Sequence, residues 1–198
     1  MRARHRDDWV RDLSGRHELE SAVEVALRRF DGFRSVDAGT ASKDRLDYTV
    51  VDRVGVKLVI ELKARLQTPA ASWLGLVPDA RPGDVVIVDE LTVRKLCRHV
   101  PHAYLLVRDV PGDRWVVLSV GDLVLPGGQA RIARPLHHDA GRTKGKWVLD
   151  IADAPIIEPD LVDALDQLVL LSRTVSVCWA DIGLWPTTYR RSHPRSAA

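Results

Sequence analysis

The clearest pattern in the chain is an apolar stripe near its start. Leu19, Ala22, Val23, Ala26, Leu27 and Phe30 recur at helical spacing, share one helix face and predict a helix over about Arg16 to Phe30. Ser14 or Asp12 suits its N-cap, and Asp31-Gly32 closes it. After a loop of small and polar residues from Ser35 to Asp44 the period changes. Leu46 to Val51 and Val56 to Ala64 read as strands joined by the turn Asp52-Arg53-Val54-Gly55. The second run, VKLVIELKA, is β-branched and apolar enough for a central strand.

Residues 65 to 83 carry several breakers and predict a loop with one helical turn, Trp73 inside it. Val85 to Val88 reads as a short strand, and Glu90 to His99 as a helix with one apolar and one basic side. Ala103 to Arg108 and Arg114 to Val120 read as strands split by Val110-Pro111-Gly112-Asp113. A basic loop and a short strand Trp147 to Ile151 follow. Pro159 then opens a helix to about Ser172. This order predicts an α/β domain with helices around one central mixed sheet. The length, 198 residues, suits a single domain.

Composition excludes some classes. Hydrophobic residues are 45% and charged residues 28%, as in an ordinary globular protein. No apolar run approaches the roughly 20 residues of a membrane span, and no apolar segment follows the basic start MRARHRDDW, so neither a membrane helix nor a secretory signal is expected. Cys97 and Cys178 lack metal-type spacing and fit a reducing, cytoplasmic setting. The formal charge of +2 does not mark a nucleic-acid binder, but its distribution is uneven. Asp150, Asp153, Glu158, Asp160, Asp163, Asp166 and Asp181 face only Arg173 between 150 and 181. Arg131, Arg134, Arg142, Lys144 and Lys146 face only Asp139 between Pro126 and Trp147, and the tail adds Arg190, Arg191 and Arg195. Segregation of this kind makes a local positive face, and the 131–146 loop is a candidate for phosphate contacts.

The chemistry concentrates on Glu61-Leu62-Lys63. In a strand, residues two apart share a face, so Lys57, Val59, Glu61 and Lys63 stand together, opposite Leu58, Ile60, Leu62 and Ala64. A hairpin folded about Asp52–Gly55 sets Asp47 across from the Glu61–Lys63 region. Two carboxylates and a lysine would then meet at one end of the sheet. Buried charges of this kind need pairing or a metal. Carboxylate oxygens suit Mg²⁺, which assists phosphodiester hydrolysis, and a neighbouring lysine orients water or stabilises developing charge. The bland alternative is an exposed edge-strand ion pair beside a turn aspartate.

These segments, HELESAVEVAL, LDYTVV and VKLVIELKAR, resemble the PD-(D/E)XK nuclease superfamily. Its pattern is a helix bearing a glutamate, a strand opening with aspartate, a hairpin, and a strand ending in (D/E)-x-K. By motif the resemblance covers about residues 15 to 65, and by element order it reaches about 120. It implies a restriction-endonuclease-like fold, here with a helical C-terminal extension over about 121–198. It also implies a Mg²⁺-dependent nuclease, with Mn²⁺ able to substitute, acting on DNA as the usual substrate with RNA as the alternative, often as a dimer. Asp47 and Glu61 would be metal ligands with the Leu62 backbone carbonyl, Lys63 the catalytic lysine, and Glu20 the helix carboxylate. Asp44 rivals Asp47, and Glu18 and Glu24 rival Glu20. Leu46 stands where the pattern's proline would be. Arg65 and Gln67, just past Lys63, are placed to touch a phosphate or base. The competing reading is a catalytically silent nucleic-acid-binding or assembly module on the same fold.

Other features carry less. Adjacent His137-His138 has no further ligand nearby. Pro126-Gly127-Gly128 does not match a phosphate-cradling loop. Ser119 and Ser172 lack a triad pattern. Trp73, Trp115, Trp147, Trp179 and Trp185 suit core or interface anchoring better than base stacking.

Overall fold

The structure, a computed structural model, describes residues 6–39, 45–77, 80–124, 129–136 and 139–181. In chain order they form α1 (Arg6–Arg29), β1 (Phe33–Ala38), β2 (Tyr48–Asp52), β3 (Lys57–Arg65), α2 (Ala71–Leu74), β4 (Val85–Asp89) and α3 (Glu90–Cys97). Next come β5 (Ala103–Asp109), β6 (Arg114–Ser119), α4 (Val120–Val124), β7 (Gln129–Leu136), β8 (Asp139–Asp150), β9 (Ile156–Glu158) and α5 (Leu161–Asp181). The fold is α/β. A six-stranded sheet runs in the order β1-β2-β3-β5-β6-β9, with β3 and β5 parallel and every other neighbour antiparallel.

The hairpin that opens this sheet is built by its turn. One carboxylate oxygen of Asp52 accepts the amides of Val54 at 3.0 Å and Val56 at 2.7 Å, and Gly55 adopts φ 97°, a conformation other residues rarely take. The expected register follows: Tyr48 pairs with Ile60 and Val50 with Leu58. Alternation along β3 holds as well. Leu58, Ile60 and Leu62 join Tyr48, Val50, Tyr104 and Leu106 in a core against Val23, Leu27 and Phe30 of α1 and Ala164, Leu165 and Leu168 of α5. Val59 joins Leu105, Val107 and Val116 in a second core, against Val93 and Leu96 of α3 and Leu149 of β8. The site-bearing strand is therefore sandwiched, with α1 and α5 on one face and α3 with a second sheet on the other.

Several expectations change. There are two sheets among the described residues, not one, because the basic segment expected as a loop contributes β7 and β8, which pair with β4 in the order β4-β8-β7. The apolar strand β4, VVIVD, offers an edge along which β8 pairs, setting Val148 opposite Ile87 and Leu149 opposite Val86. Helix α1 begins at Arg6, so Ser14 and Asp12 lie within it rather than at its cap. Of its stripe, Ala22 is exposed while Val23, Leu27 and Phe30 are buried. Helix α5 starts after Pro159, where the carboxylate of Asp160 accepts the amide of Val162 at 2.7 Å. Its buried stripe, Ala164, Leu165 and Leu168, packs on its own sheet. Strands β1 and β9 and helix α4 were not expected; each is six residues or shorter. Among the described residues no helix is long and apolar enough to cross a membrane.

Candidate active site

Asp47 stands one residue before β2, and the β2–β3 register continued by one step sets it opposite Glu61. Its carboxylate accepts the backbone amide of Leu62 at 2.8 Å. Glu61 lies on the strand face shared with Val59, and Lys63 Nζ sits 2.8 Å from its Oε1. Thr92 of α3 approaches the same oxygen, Oγ1 to Oε1 3.4 Å. Asp47 and Glu61 are 6% and 5% exposed, whereas the Lys63 side chain keeps 29% of its surface in solvent. Two buried carboxylates and a half-exposed ammonium thus gather where β2 and β3 meet, as the hairpin geometry predicts.

Burying two carboxylates this close is unfavourable unless cations and donors compensate them. The donors here include the Leu62 amide, the Lys63 ammonium and the Thr92 hydroxyl. These contacts engage Oδ2 of Asp47 and Oε1 of Glu61. A set of hard carboxylate oxygens beside a backbone carbonyl fits a small divalent cation such as Mg²⁺, which keeps several waters of its own. Among the described residues no three His, Cys, Asp or Glu side chains gather as a ready metal cage. Water and phosphate oxygens would have to complete the coordination.

Glu20 is placed differently. Its helix packs on the face opposite Glu61, and its backbone carbonyl accepts the hydroxyl of Tyr48 at 2.7 Å. Its carboxylate is 12% exposed and lies 3.5 Å from His17 Nδ1. The structure thus brings Glu20 to the β2 end of the sheet but roots it on the other face. Of its rivals, Glu24 pairs with Arg28 at 2.8 Å and Glu18 is exposed. Asp44 lies outside the described residues.

Comparison with known protein families, curated proteins and solved structures returned no match.

The expected nucleic-acid contacts divide. Gln67 is exposed just beyond β3. Arg65, expected to touch a phosphate or base, is instead buried at 6% exposed; its Nε donates to Asp109 at 2.7 Å and its terminal nitrogen to the Gly83 carbonyl at 2.6 Å. Asp109 also receives Arg114 at 2.8 Å, and Arg114 reaches Asp84 at 2.6 Å. Burial would raise the Asp109 carboxyl, but the two guanidinium hydrogen bonds outweigh it and hold it below its ordinary value. This network fastens the ends of β3, β5 and β6 to the entry of β4, and it occupies the guanidinium that a phosphate would need. Lys144 and Lys146 lie on β8, not in a loop, and both ammoniums hold the carboxylate of Asp89. The side chains of Arg131, Arg134 and Arg142 lie outside the described ones, as do His137 and His138. Trp115 is buried in the first core with the Arg108 guanidinium 5.5 Å from its ring centre, and Trp147 packs against the second.

Two residues near the site carry no local signal in the sequence. Thr92 matters only because α3 docks beside β3. Gly39 donates its amide to the Asp47 carbonyl at 2.7 Å, and a β-carbon there would sit 2.4 Å from the Leu46 carbonyl oxygen. A small residue before a polar loop gives no hint of that close approach.

Proposed function

We propose that the chain is a metal-dependent nuclease of the PD-(D/E)XK type that hydrolyses DNA phosphodiester bonds with Mg²⁺, or Mn²⁺ in its place. The observation that carries this reading is the in-register meeting of Asp47 with Glu61 while Lys63 lies 2.8 Å from Glu61 on the same face. The element order supports it, since the motif helix and hairpin are followed, after α2 and β4, by helix α3 and the further strands β5 and β6, as the resemblance implies.

Asp47 and Glu61 would hold the cation, with the Leu62 carbonyl as a further oxygen. When bound, the metal supplies a more acidic water and neutralises charge on the scissile phosphate. Lys63 keeps its ammonium at the solvent side of Glu61, where it orients the attacking water and then stabilises charge building on the phosphoryl oxygens. In the overall step a water oxygen bonds to phosphorus, one P–O ester bond breaks, and the departing oxygen takes up a proton. Thr92 and the Leu62 amide hold the two carboxylates in position.

The test is cleavage of plasmid and linear DNA with Mg²⁺ or Mn²⁺ by wild type, Asp47→Ala and Lys63→Ala. Cleavage by wild type with loss in both variants is expected. Equal activity in all three would end the assignment. The rooting of Glu20 on the opposite face favours one second reading, a binding module that has given up catalysis. Wild type would then bind DNA without metal and cut nothing.

A further inference from the structure

We propose that Lys144 and Lys146 form a contact for two phosphates of a DNA strand, and that Asp89 holds this lysine pair until the DNA backbone displaces it. The identity of the partner rests on the nuclease reading; the lysine pair and its counter-ion do not.

Residues two apart on a strand share a face and stand about 6.6–6.8 Å apart, comparable to the step between successive phosphates. Lys144 and Lys146 have this relation on β8. Lys144 Nζ lies 2.6 Å from one oxygen of Asp89, and Lys146 Nζ contacts the other. One carboxylate facing two ammoniums leaves a surplus positive charge. All three paired side chains remain open to solvent: Lys144 46%, Lys146 27% and Asp89 30%. Ion pairs this exposed exchange partners readily. Polyanion binding adds the release of counterions, a gain that an internal carboxylate does not offer.

The place of the pair is set by packing, not by the ion pairs. Gly145 lies between the lysines, and a β-carbon there would be 1.7 Å from Glu90 Oε2 and 2.8 Å from Glu90 Cβ. Strand β8 is thus pressed directly on the first residue of α3. Asp89 also pairs with Lys146 in the backbone register. Neutralising Asp89 therefore leaves the lysines where they are.

The experiment is fluorescence anisotropy of a labelled DNA duplex against salt, without divalent metal, so that binding is read apart from cleavage. Lys144→Ala/Lys146→Ala should weaken binding about tenfold or more and lower the slope of log affinity against log salt by about 1.8, at ~0.9 per phosphate contact. Lys144→Arg/Lys146→Arg should retain binding, which separates loss of charge from misfolding. Asp89→Asn should tighten binding several-fold in the wild-type background and not at all in the double-alanine background. Unchanged affinity and slope in the double-alanine variant, or an Asp89→Asn gain that persists without the lysines, would overturn the proposal. So would absence of duplex binding, or tighter binding to an RNA duplex. If the variants respond as expected yet wild type never cuts DNA, the nuclease reading fails and the lysine pair stands.

Discussion

The amide of Leu62 donates a 2.8 Å hydrogen bond to the carboxylate of Asp47. The strand that carries Glu61 and Lys63 therefore also orients the aspartate opposite them. Removal of the whole Asp47 side chain would leave a buried amide without that acceptor, at a cost of about 1–3 kcal/mol. Asp47→Asn keeps an oxygen there. We expect Asp47→Ala to lose both stability and cleavage, and Asp47→Asn to lose cleavage with stability nearly intact. Urea denaturation beside a cleavage assay separates the two.

Metal binding can be read without turnover. A ligand that binds only the folded state at a hundred times its dissociation constant adds ~2.7 kcal/mol. Mg²⁺ should raise the melting temperature of wild type and of Lys63→Ala, but not of Asp47→Asn/Glu61→Gln. Lys63→Ala should still lose activity by a factor on the order of 10²–10³. An unchanged Mg²⁺ shift in the double variant would place the metal elsewhere.

Gly39→Ala should injure the site from outside it. The new β-carbon would meet the Leu46 carbonyl oxygen at 2.4 Å, and this atom is backbone and cannot rotate aside. We expect about 1–3 kcal/mol of destabilisation, in the range of overpacking, and a fall in cleavage as Asp47 moves. The conservative comparison is Gly75→Ala, where nothing lies within 4 Å and neither property should suffer appreciably.

Asp109 predicts acid sensitivity. Its folded value is below the ordinary carboxylate value of 3.8, because the Arg114 and Arg65 hydrogen bonds outweigh burial. The unfolded chain therefore takes up the proton first. The stabilisation is complete above the unfolded value and is lost as pH falls through the folded one. Asp109→Ala, which strands the buried Arg65, should cost about 3–5 kcal/mol at neutral pH and remove this acid step. Denaturation midpoints from pH 7 down to about 3 would show it.

His102 acts over a higher window. Burial lowers its value below 6.5, with Asp52 opposing the shift. The unfolded histidine protonates first as pH drops below its ordinary value, so stability present above that value declines toward the folded one. His102→Gln should flatten the stability profile between about pH 7 and 5. A slope that survives the substitution would assign the effect to another group.

Much of the site was legible because the cues that build it are short-range. The turn at Asp52–Gly55 is closed by its own aspartate and by a glycine with positive φ, and these fix which residues of β2 and β3 face each other. The Glu61–Lys63 face follows from alternation alone. By contrast, β7 was hidden because its sequence, QARIARPL, carries charges where a half-buried strand usually alternates, and its partner β8 pairs with β4 across a long stretch of chain. The three-residue β9 gives too little pattern to recognise.

By itself, then, the sequence determined the Glu61–Lys63 face, the hairpin and the opposition of Asp47 to Glu61. Each depends on contacts within some fifteen residues, where strand period and turn chemistry leave one register. Only the tertiary structure decided that α1 and Glu20 belong to the other face, that Thr92 approaches Glu61, that Arg65 is committed to Asp109, and that Lys144 and Lys146 share Asp89. Those outcomes depend on which elements dock on which side of the sheet. That choice is made by burial summed over the whole core, and no local spacing records it.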